Sequence, residues 1–178
     1  ALRAAREAGI VVGFHCENGR LIAARVAEEL AAGHTASWYH QRTRPEASEW
    51  EAAYRLGFIA QTADAPVYVV HVSSAGTLDV VRDYRARGVR YAAETCPQYL
   101  VADNGEYGPE PVDGVADPAD ETHARQFMMS PPLRDAANNA ALWRLLADGE
   151  IHFVGTDHCS FTLGDQKARA TAFNQVAN

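Results

Sequence analysis

Four short apolar runs in this sequence each end at polar residues that could bind a metal ion or transfer a proton. In chain order these residues are His15, His71, Glu94 or Thr95, and Asp157. Imidazole and carboxylate groups are typical ligands of zinc and similar divalent metals. A bound metal with an open coordination position would activate water by lowering its pKa. The residue types therefore indicate a metal site able to activate water.

The elements that must position these side chains are strands alternating with helices. The predicted strands are 9–14, 66–70, 89–93 and 151–155, and the predicted helices are 21–32, 45–63, 77–87 and 136–146. Such alternation predicts an α/β fold with a parallel sheet, in which the carboxyl ends of the strands meet at one edge. His15 and His71 are far apart in sequence, so we expect them on neighbouring strands.

The remaining histidines and the cysteines have simpler interpretations. A histidine that follows a strand is most often a hydrogen-bonded structural residue. We expect surface or packing roles for the other five, which are His34, His40, His123, His152 and His158. No Cys-x-x-Cys spacing occurs, and the three cysteines are far apart, which favours a cytoplasmic protein without disulfides. Cys16 and Cys159 are expected to be small buried side chains.

Composition limits the classes of partner. The 178 residues include 16 basic and 23 acidic side chains, for a formal charge of −7. Without a basic cluster or a long apolar stretch, neither nucleic acid nor a membrane is an expected partner. Residues 101–126 carry seven acids and are expected to form a solvated, partly mobile surface excursion without a site.

Six motifs in order carry a resemblance to a known family. They are GFHCENG at 13–19, RPEASE at 44–49, VYVVHVSSAG at 67–76, ETCPQYL at 94–100, MSPPLR at 129–134 and TDHCSF at 156–161. This series resembles the hydantoinase and dihydropyrimidinase branch of the cyclic amidohydrolases. The resemblance implies a (β/α)8 TIM barrel. This chain would then be a partial barrel, roughly strands five to eight with their helices, and residues 1–178 a fragment of a single barrel domain.

The resemblance also implies roles for individual residues. His15 and His71 would bind one metal, and Asp157 would bind the other and act as the general base. Ser130 and Asn178 match positions whose backbone groups bind the imide or ureide edge of the substrate. The family pairs two divalent metals, usually Zn²⁺, through a carboxylated lysine. The sole lysine here, Lys167, lies after the last strand, so the bridging lysine is expected outside this chain.

The implied activity is hydrolysis of a C–N bond in a small cyclic amide. The complete protein would open a hydantoin or dihydropyrimidine ring to an N-carbamoyl amino acid, as a homotetramer or homodimer, whereas the fragment itself is expected to be inactive. Allantoinase and dihydroorotase are alternatives within the enzyme class. A non-catalytic oligomeric scaffold is the alternative of another class, and an unrelated α/β domain with coincidental histidines is the third.

Overall fold

The structure, a computed structural model, describes residues 1–178 and contains one parallel sheet. Its strands are β1 (Val12–Phe14), β2 (Val67–Val69), β3 (Tyr91–Thr95) and β4 (Phe153–Val154). They lie in the order β1-β2-β3-β4, and every neighbouring pair is parallel. Each crossover therefore contains helix, as expected for parallel strands. The predicted α/β class with a parallel sheet is confirmed.

Eight α-helices accompany the strands. They are α1 (Leu2–Glu7), α2 (Gly19–Ala31), α3 (Tyr39–Thr43), α4 (Glu46–Ala63), α5 (Ala75–Ala86), α6 (Pro97–Val101), α7 (Pro118–Gln126) and α8 (Ala136–Ala147). Asn18 begins α2 by accepting a hydrogen bond from the Leu21 N–H, and Asp135 begins α8 by accepting one from the Asn138 N–H. None of the helices has the length and apolarity that crossing a membrane requires.

The core lies between one face of the sheet and the helices α4 and α5. Val67, Val69, Leu78 and Val81 are almost completely buried there. Alternation along a strand sends every second side chain to this face. The core is therefore built mainly from one face of β2 and β3 and the apolar sides of the two helices.

The opposite face of the sheet has no covering layer. Val11 and Phe153 are about half exposed on this side. The rings of Tyr68 and Phe153 contact each other across it, with centroids 5.9 Å apart. An open cavity of about 630 Å³ lies over these residues. We call this surface the inner face of the sheet.

The third strand differs from its prediction. It begins at Tyr91 and includes Glu94 and Thr95, which were expected to follow the strand. Parallel pairing fixes this register, because Val67 lies opposite Tyr91. The Thr95 hydroxyl donates to the Val72 carbonyl, so it is used structurally.

The acidic segment 101–126 contains more structure than the sequence analysis predicted. Asp117 accepts a hydrogen bond from the Ala119 N–H at the start of α7. Glu121 on this helix accepts hydrogen bonds from both the N–H and the hydroxyl of Ser37. Arg125 donates to three backbone carbonyls of residues 167–170. The segment is thus attached to two distant parts of the chain.

Candidate functional site

The turns that follow β1 and β2 bring two histidines together. Nδ1 of His15 lies 2.9 Å from Nε2 of His71, and the ring centroids are 4.7 Å apart. His71 is 5% exposed and has a positive φ of 41°, a conformation uncommon for residues other than glycine. The sequence-predicted pair is therefore adjacent, at the carboxyl edge of the sheet.

Their hydrogen bonds indicate which ring nitrogens carry protons. Glu17 lies 3.0 Å from Nε2 of His15, and a carboxylate can only accept, so that nitrogen donates. Nδ1 of His15 is then a lone pair directed at His71. Burial lowers the pKa of His71 and favours its neutral form.

These features fit a metal-binding role. His71 Nδ1 is buried without a hydrogen-bond partner. If the proton of His71 moved to that nitrogen, the lone pairs of both rings would converge on one point. Neutral imidazoles are the form that binds divalent metals. A complete ligand set is absent, since no three His, Cys, Asp or Glu side chains lie close enough together to hold a metal.

Asp157 lies beyond β4 and lines a cavity of about 620 Å³. Its φ of 45° is also left-handed. Its charge acts on the ring of His71 and opposes the lowering of the pKa of that histidine. The structure thus places Asp157 within electrostatic reach of His71, but the two residues do not belong to a group of three side chains that could hold a metal.

Ser130 and Asn178 contact each other, although 48 residues separate them. The Ser130 hydroxyl lies 2.6 Å from Asn178 Oδ1, and Asn178 Nδ2 donates to the Val176 carbonyl. Asn178 lines the same cavity as Asp157. The two residues expected to bind substrate therefore contact each other, and one of them shares a cavity with the expected general base.

Lys167 also lies in the wall of this cavity. Its Nζ donates to the carbonyls of Met128 and Gln126, at 3.0 and 3.4 Å. Burial lowers the pKa of its amine. The amine is thus used in backbone contacts.

The cysteines divide by exposure. Cys16 is buried as expected, and burial raises the pKa of its thiol to about 12, which disfavours a thiolate ligand. Cys159 is exposed, so the expectation of a buried side chain was wrong there. The reason is its position in the segment after β4, where residues 156–160 are all exposed.

Sequence reasoning missed a second set of charged residues around the site. Glu17 accepts a hydrogen bond from Arg44 at 2.7 Å. Burial alone would raise the pKa of Glu17, but the hydrogen bond from His15 and the charge of Arg44 lower it below its usual value. The proximity of Glu17 to His15 in the sequence was the available signal.

Glu49 is the most buried carboxylate in the chain, at 1% exposure. It accepts hydrogen bonds from the N–H groups of Ser73 and Ser74 and from the Thr77 hydroxyl. Burial raises its pKa, and Arg134, whose Nη2 lies 3.7 Å away, acts in the opposite direction. The motif RPEASE contains both Arg44 and Glu49, but the sequence alone predicted no contact for either residue.

This chain is similar in sequence to proteins named D-phenylhydantoinase. The D-phenylhydantoinase of Escherichia coli O81 (strain ED1a) is 40% identical over 168 residues, which are 94% of this chain and 34% of that protein. The D-phenylhydantoinase of Escherichia coli O1:K1 is 41% identical over 167 residues. This chain is a homologue of the hydantoinases. No protein-family model matches it.

Solved hydantoinase structures share the fold. A D-hydantoinase (dihydropyrimidinase) from Thermus sp. superposes with a TM-score of 0.90 at 36% identity, covering 99% of this chain and 36% of that one. A dihydropyrimidinase from Brevibacillus agri gives 0.89 at 36% identity, covering 98% of this chain and 36% of that one. The chain spans about a third of the length of the hydantoinases that it matches.

Proposed function

We propose that the complete gene product containing this chain hydrolyses a C–N bond in a cyclic amide, opening a hydantoin or dihydropyrimidine ring to an N-carbamoyl amino acid. One observation carries the proposal. The ring nitrogens of His15 and His71 converge at adjacent strand ends in a homologue of proteins named hydantoinases. Such convergence suits a hydrolytic metal site.

The proposed architecture is a (β/α)8 barrel to which this chain contributes strands five to eight. The strands follow one another in sequential order, as neighbouring βα units of a barrel do. The inner face of the sheet exposes apolar side chains such as Phe153, and β1 and β4 each have one unpaired edge. Closure by further strands would cover this face and remove both edges.

His15 and His71 would hold one divalent metal, and Asp157 a second, with zinc as the proposed ion. Bound metals would supply Lewis acidity toward the carbonyl and lower the pKa of water. The lysine that bridges two metals in the resembled family would come from outside residues 1–178. The two histidines contribute neutral nitrogen ligands, because Glu17 fixes the tautomer of His15 and burial favours neutral His71.

Asp157 is the proposed general base. Water adds to the ring carbonyl carbon, and Asp157 takes one of its protons. The C–N bond then breaks, and the same proton passes from Asp157 to the departing ring nitrogen. The cavity that Asp157 lines is about 620 Å³, within the usual range for small-molecule sites. Ser130 and Asn178 would bind the amide edge of the ring at the same cavity.

Assembly and location complete the proposal. We propose a homodimer or homotetramer in the cytoplasm, without nucleic acid or membrane partners. The resemblance supports the assembly, and the acidic net charge of −7 supports the exclusion of anionic polymers.

The replacement Asp157→Asn tests the reaction. Asparagine tolerates the left-handed backbone but cannot accept a proton, so we expect turnover of hydantoin and dihydrouracil to fall at least about 100-fold. Release of the N-carbamoyl product is measured in the complete gene product. Asp113→Asn is the matched control, because Asp113 is exposed and has a similar φ of 54°.

The substrate panel separates the alternatives. Turnover of allantoin or dihydroorotate in place of hydantoin and dihydrouracil would assign the protein to one of the rival ring substrates. A metal-free protein without activity on any of the four would overturn the proposal and favour the scaffold interpretation. Retained activity in Asp157→Asn would contradict the assigned base.

A further inference from the structure

A buried network of charged side chains connects the turns that carry His15 and His71. It begins in residues 44–49, where Arg44 and Glu49 flank the start of α4. The proposed reaction uses neither residue. Each reaches one of the two histidine-bearing turns, and a third residue, Arg134, joins them.

The first connection holds His15. Arg44 Nη1 donates to Glu17 Oε2 at 2.7 Å, and the same oxygen accepts from His15 Nε2 at 3.0 Å. The Glu17 side chain is 2% exposed, so water does not compete for these bonds. Arg44 thereby fixes the carboxylate that orients the His15 ring.

The second connection holds the turn after His71. The Glu49 carboxylate accepts from the N–H groups of Ser73 and Ser74, each at 3.2 Å, and from the Thr77 hydroxyl at 2.7 Å. Left-handed backbone is costly for a residue other than glycine, so the surroundings must hold His71 in place. The bonds to Glu49 do so two and three residues beyond it.

Arg134 joins the two connections. Its Nη1 donates to the Arg44 carbonyl at 2.6 Å, its Nε donates to the Ser73 hydroxyl at 3.0 Å, and its Nη2 lies 3.7 Å from Glu49. Arg134 also ends the segment 129–134 that contains Ser130. The path therefore runs without a break from one histidine turn to the other and on to the segment with the proposed substrate residue.

We propose that Arg44, Glu49 and Arg134, here called the clamp, are positioning residues that set the approach of His15 to His71 and hence the affinity of the metal site. This inference rests on the proposed function, because it assigns the clamp to the same site. The clamp contacts neither substrate nor metal. It acts through Glu17 on one turn and through the backbone of Ser73 and Ser74 on the other.

Stability alone is a poor reason for such a network. Removing two charges from water costs more free energy than a loosely formed ion pair provides. Buried ion pairs can therefore often be replaced by apolar side chains without loss of folding stability. Arg134 Nη2 is buried without a hydrogen-bond partner, so the arrangement is not optimised for hydrogen bonding. Its geometric effect on the two histidine turns is the feature that an apolar replacement would not reproduce.

The test is zinc binding by the complete gene product carrying Glu49→Gln. Glutamine keeps the size of the side chain but removes the negative charge that accepts hydrogen bonds from the Ser73 and Ser74 N–H groups. Zinc affinity is measured by competition with a chromophoric chelator, on protein verified as folded by circular dichroism. We expect the zinc dissociation constant to rise about 10- to 100-fold, the usual effect of losing a group that orients a metal ligand.

Two further variants make the test specific. Arg134→Lys keeps the charge but loses the planar fork that reaches the Arg44 carbonyl and Ser73 together, so it should also weaken zinc binding. Glu150→Gln is the control, because Glu150 forms an ion pair with Arg85 at 2.7 Å and contacts neither histidine turn. It should bind zinc as the unaltered protein does.

The outcomes separate the two proposals. If the unaltered protein binds no zinc, the proposed function fails. If it binds zinc, and folded Glu49→Gln and Arg134→Lys bind it within twofold of the same affinity, the clamp proposal is overturned. Should Glu49→Gln fail to fold, Arg134→Lys decides alone, and a lower melting temperature with unchanged zinc affinity in that variant also overturns the proposal.

Discussion

Two buried histidines of this chain, His40 and His71, differ in the hydrogen-bond partners of their ring nitrogens. His40 is 3% exposed, and its Nε2 donates to the Met129 carbonyl at 2.8 Å. Burial lowers its pKa to about 4. His71 is also buried, but it faces another imidazole and has a free ring nitrogen. The sequence analysis placed the two histidines in different groups by their positions relative to the strands, whereas their burial depends on the tertiary structure.

His40 should make folding stability dependent on pH. The unfolded chain takes up a proton near pH 6.5, whereas folded His40 does so only near pH 4, so the free energy of unfolding falls as pH drops through this interval. By pH 5 the loss is about 2 kcal/mol. Urea unfolding of His40→Gln in the complete gene product should show a pH dependence shallower by that amount.

The control for this measurement is His123→Gln, since His123 is half exposed and pairs with Glu106 at the surface. It should follow the unaltered protein. A His40→Gln variant whose stability falls as steeply between pH 7 and pH 5 as that of the unaltered protein would show that His40 is not the buried titrating group.

At the scale of elements, α4 and α5 approach closely because Gly57 has no side chain. A Cβ added at Gly57 would lie 2.3 Å from the ring of Tyr84, which is fully buried and cannot move away. Gly57→Ala should therefore destabilise the protein by about 1–3 kcal/mol, despite the better helix propensity of alanine. Denaturant unfolding measures the change.

A matched substitution on another helix tests the cause. Gly19 lies at the start of α2, and nothing lies within 4 Å of a Cβ added there. Gly19→Ala should leave stability within about 0.5 kcal/mol of the original. Equal destabilisation by both substitutions would contradict the packing argument.

The sequence analysis did not predict α6, α7 or the correct start of β3. Pro97 and Pro118 begin α6 and α7, and Asp117 supplies the side-chain cap of α7, so a signal for the latter was present but was outweighed by the acidic composition. The start of β3 had no such signal. Its register depends on pairing with β2, which is a tertiary property.

The site was predictable to a similar degree. His15, His71 and Asp157 became candidates through their types and their positions after apolar runs, because strand ends share one edge of a parallel sheet. Arg134 and Glu49 were not identified, because their partner Ser73 lies 61 and 24 residues away. Such contacts follow from the packing of helices on the sheet and leave no local pattern.

For the whole molecule, the uncovered inner face predicts how the isolated chain behaves. Residues 1–178 alone should associate and bind a hydrophobic dye, because apolar groups and unpaired strand edges are exposed together. The complete gene product should do neither. Size-exclusion chromatography and dye fluorescence compare the two at equal concentration.

Two substitutions in the isolated chain locate the source of association. Phe153 lies on the inner face, so Phe153→Ser should raise the monomeric fraction. Val112→Ser removes an apolar side chain that is 80% exposed in the acidic segment, and it should leave association unchanged. If Val112→Ser had the larger effect, the inner face would not be the cause.

The sequential order of the strands also bears on how the protein is made. During synthesis, each new strand can pair with the strand that was translated before it, so the sheet can grow as translation proceeds. Arg134 reaches back 90 residues to Arg44. The two histidine turns can therefore form early, but the contact that ties them together waits until the third crossover has been translated, and ordered capture of a metal ion would follow that step.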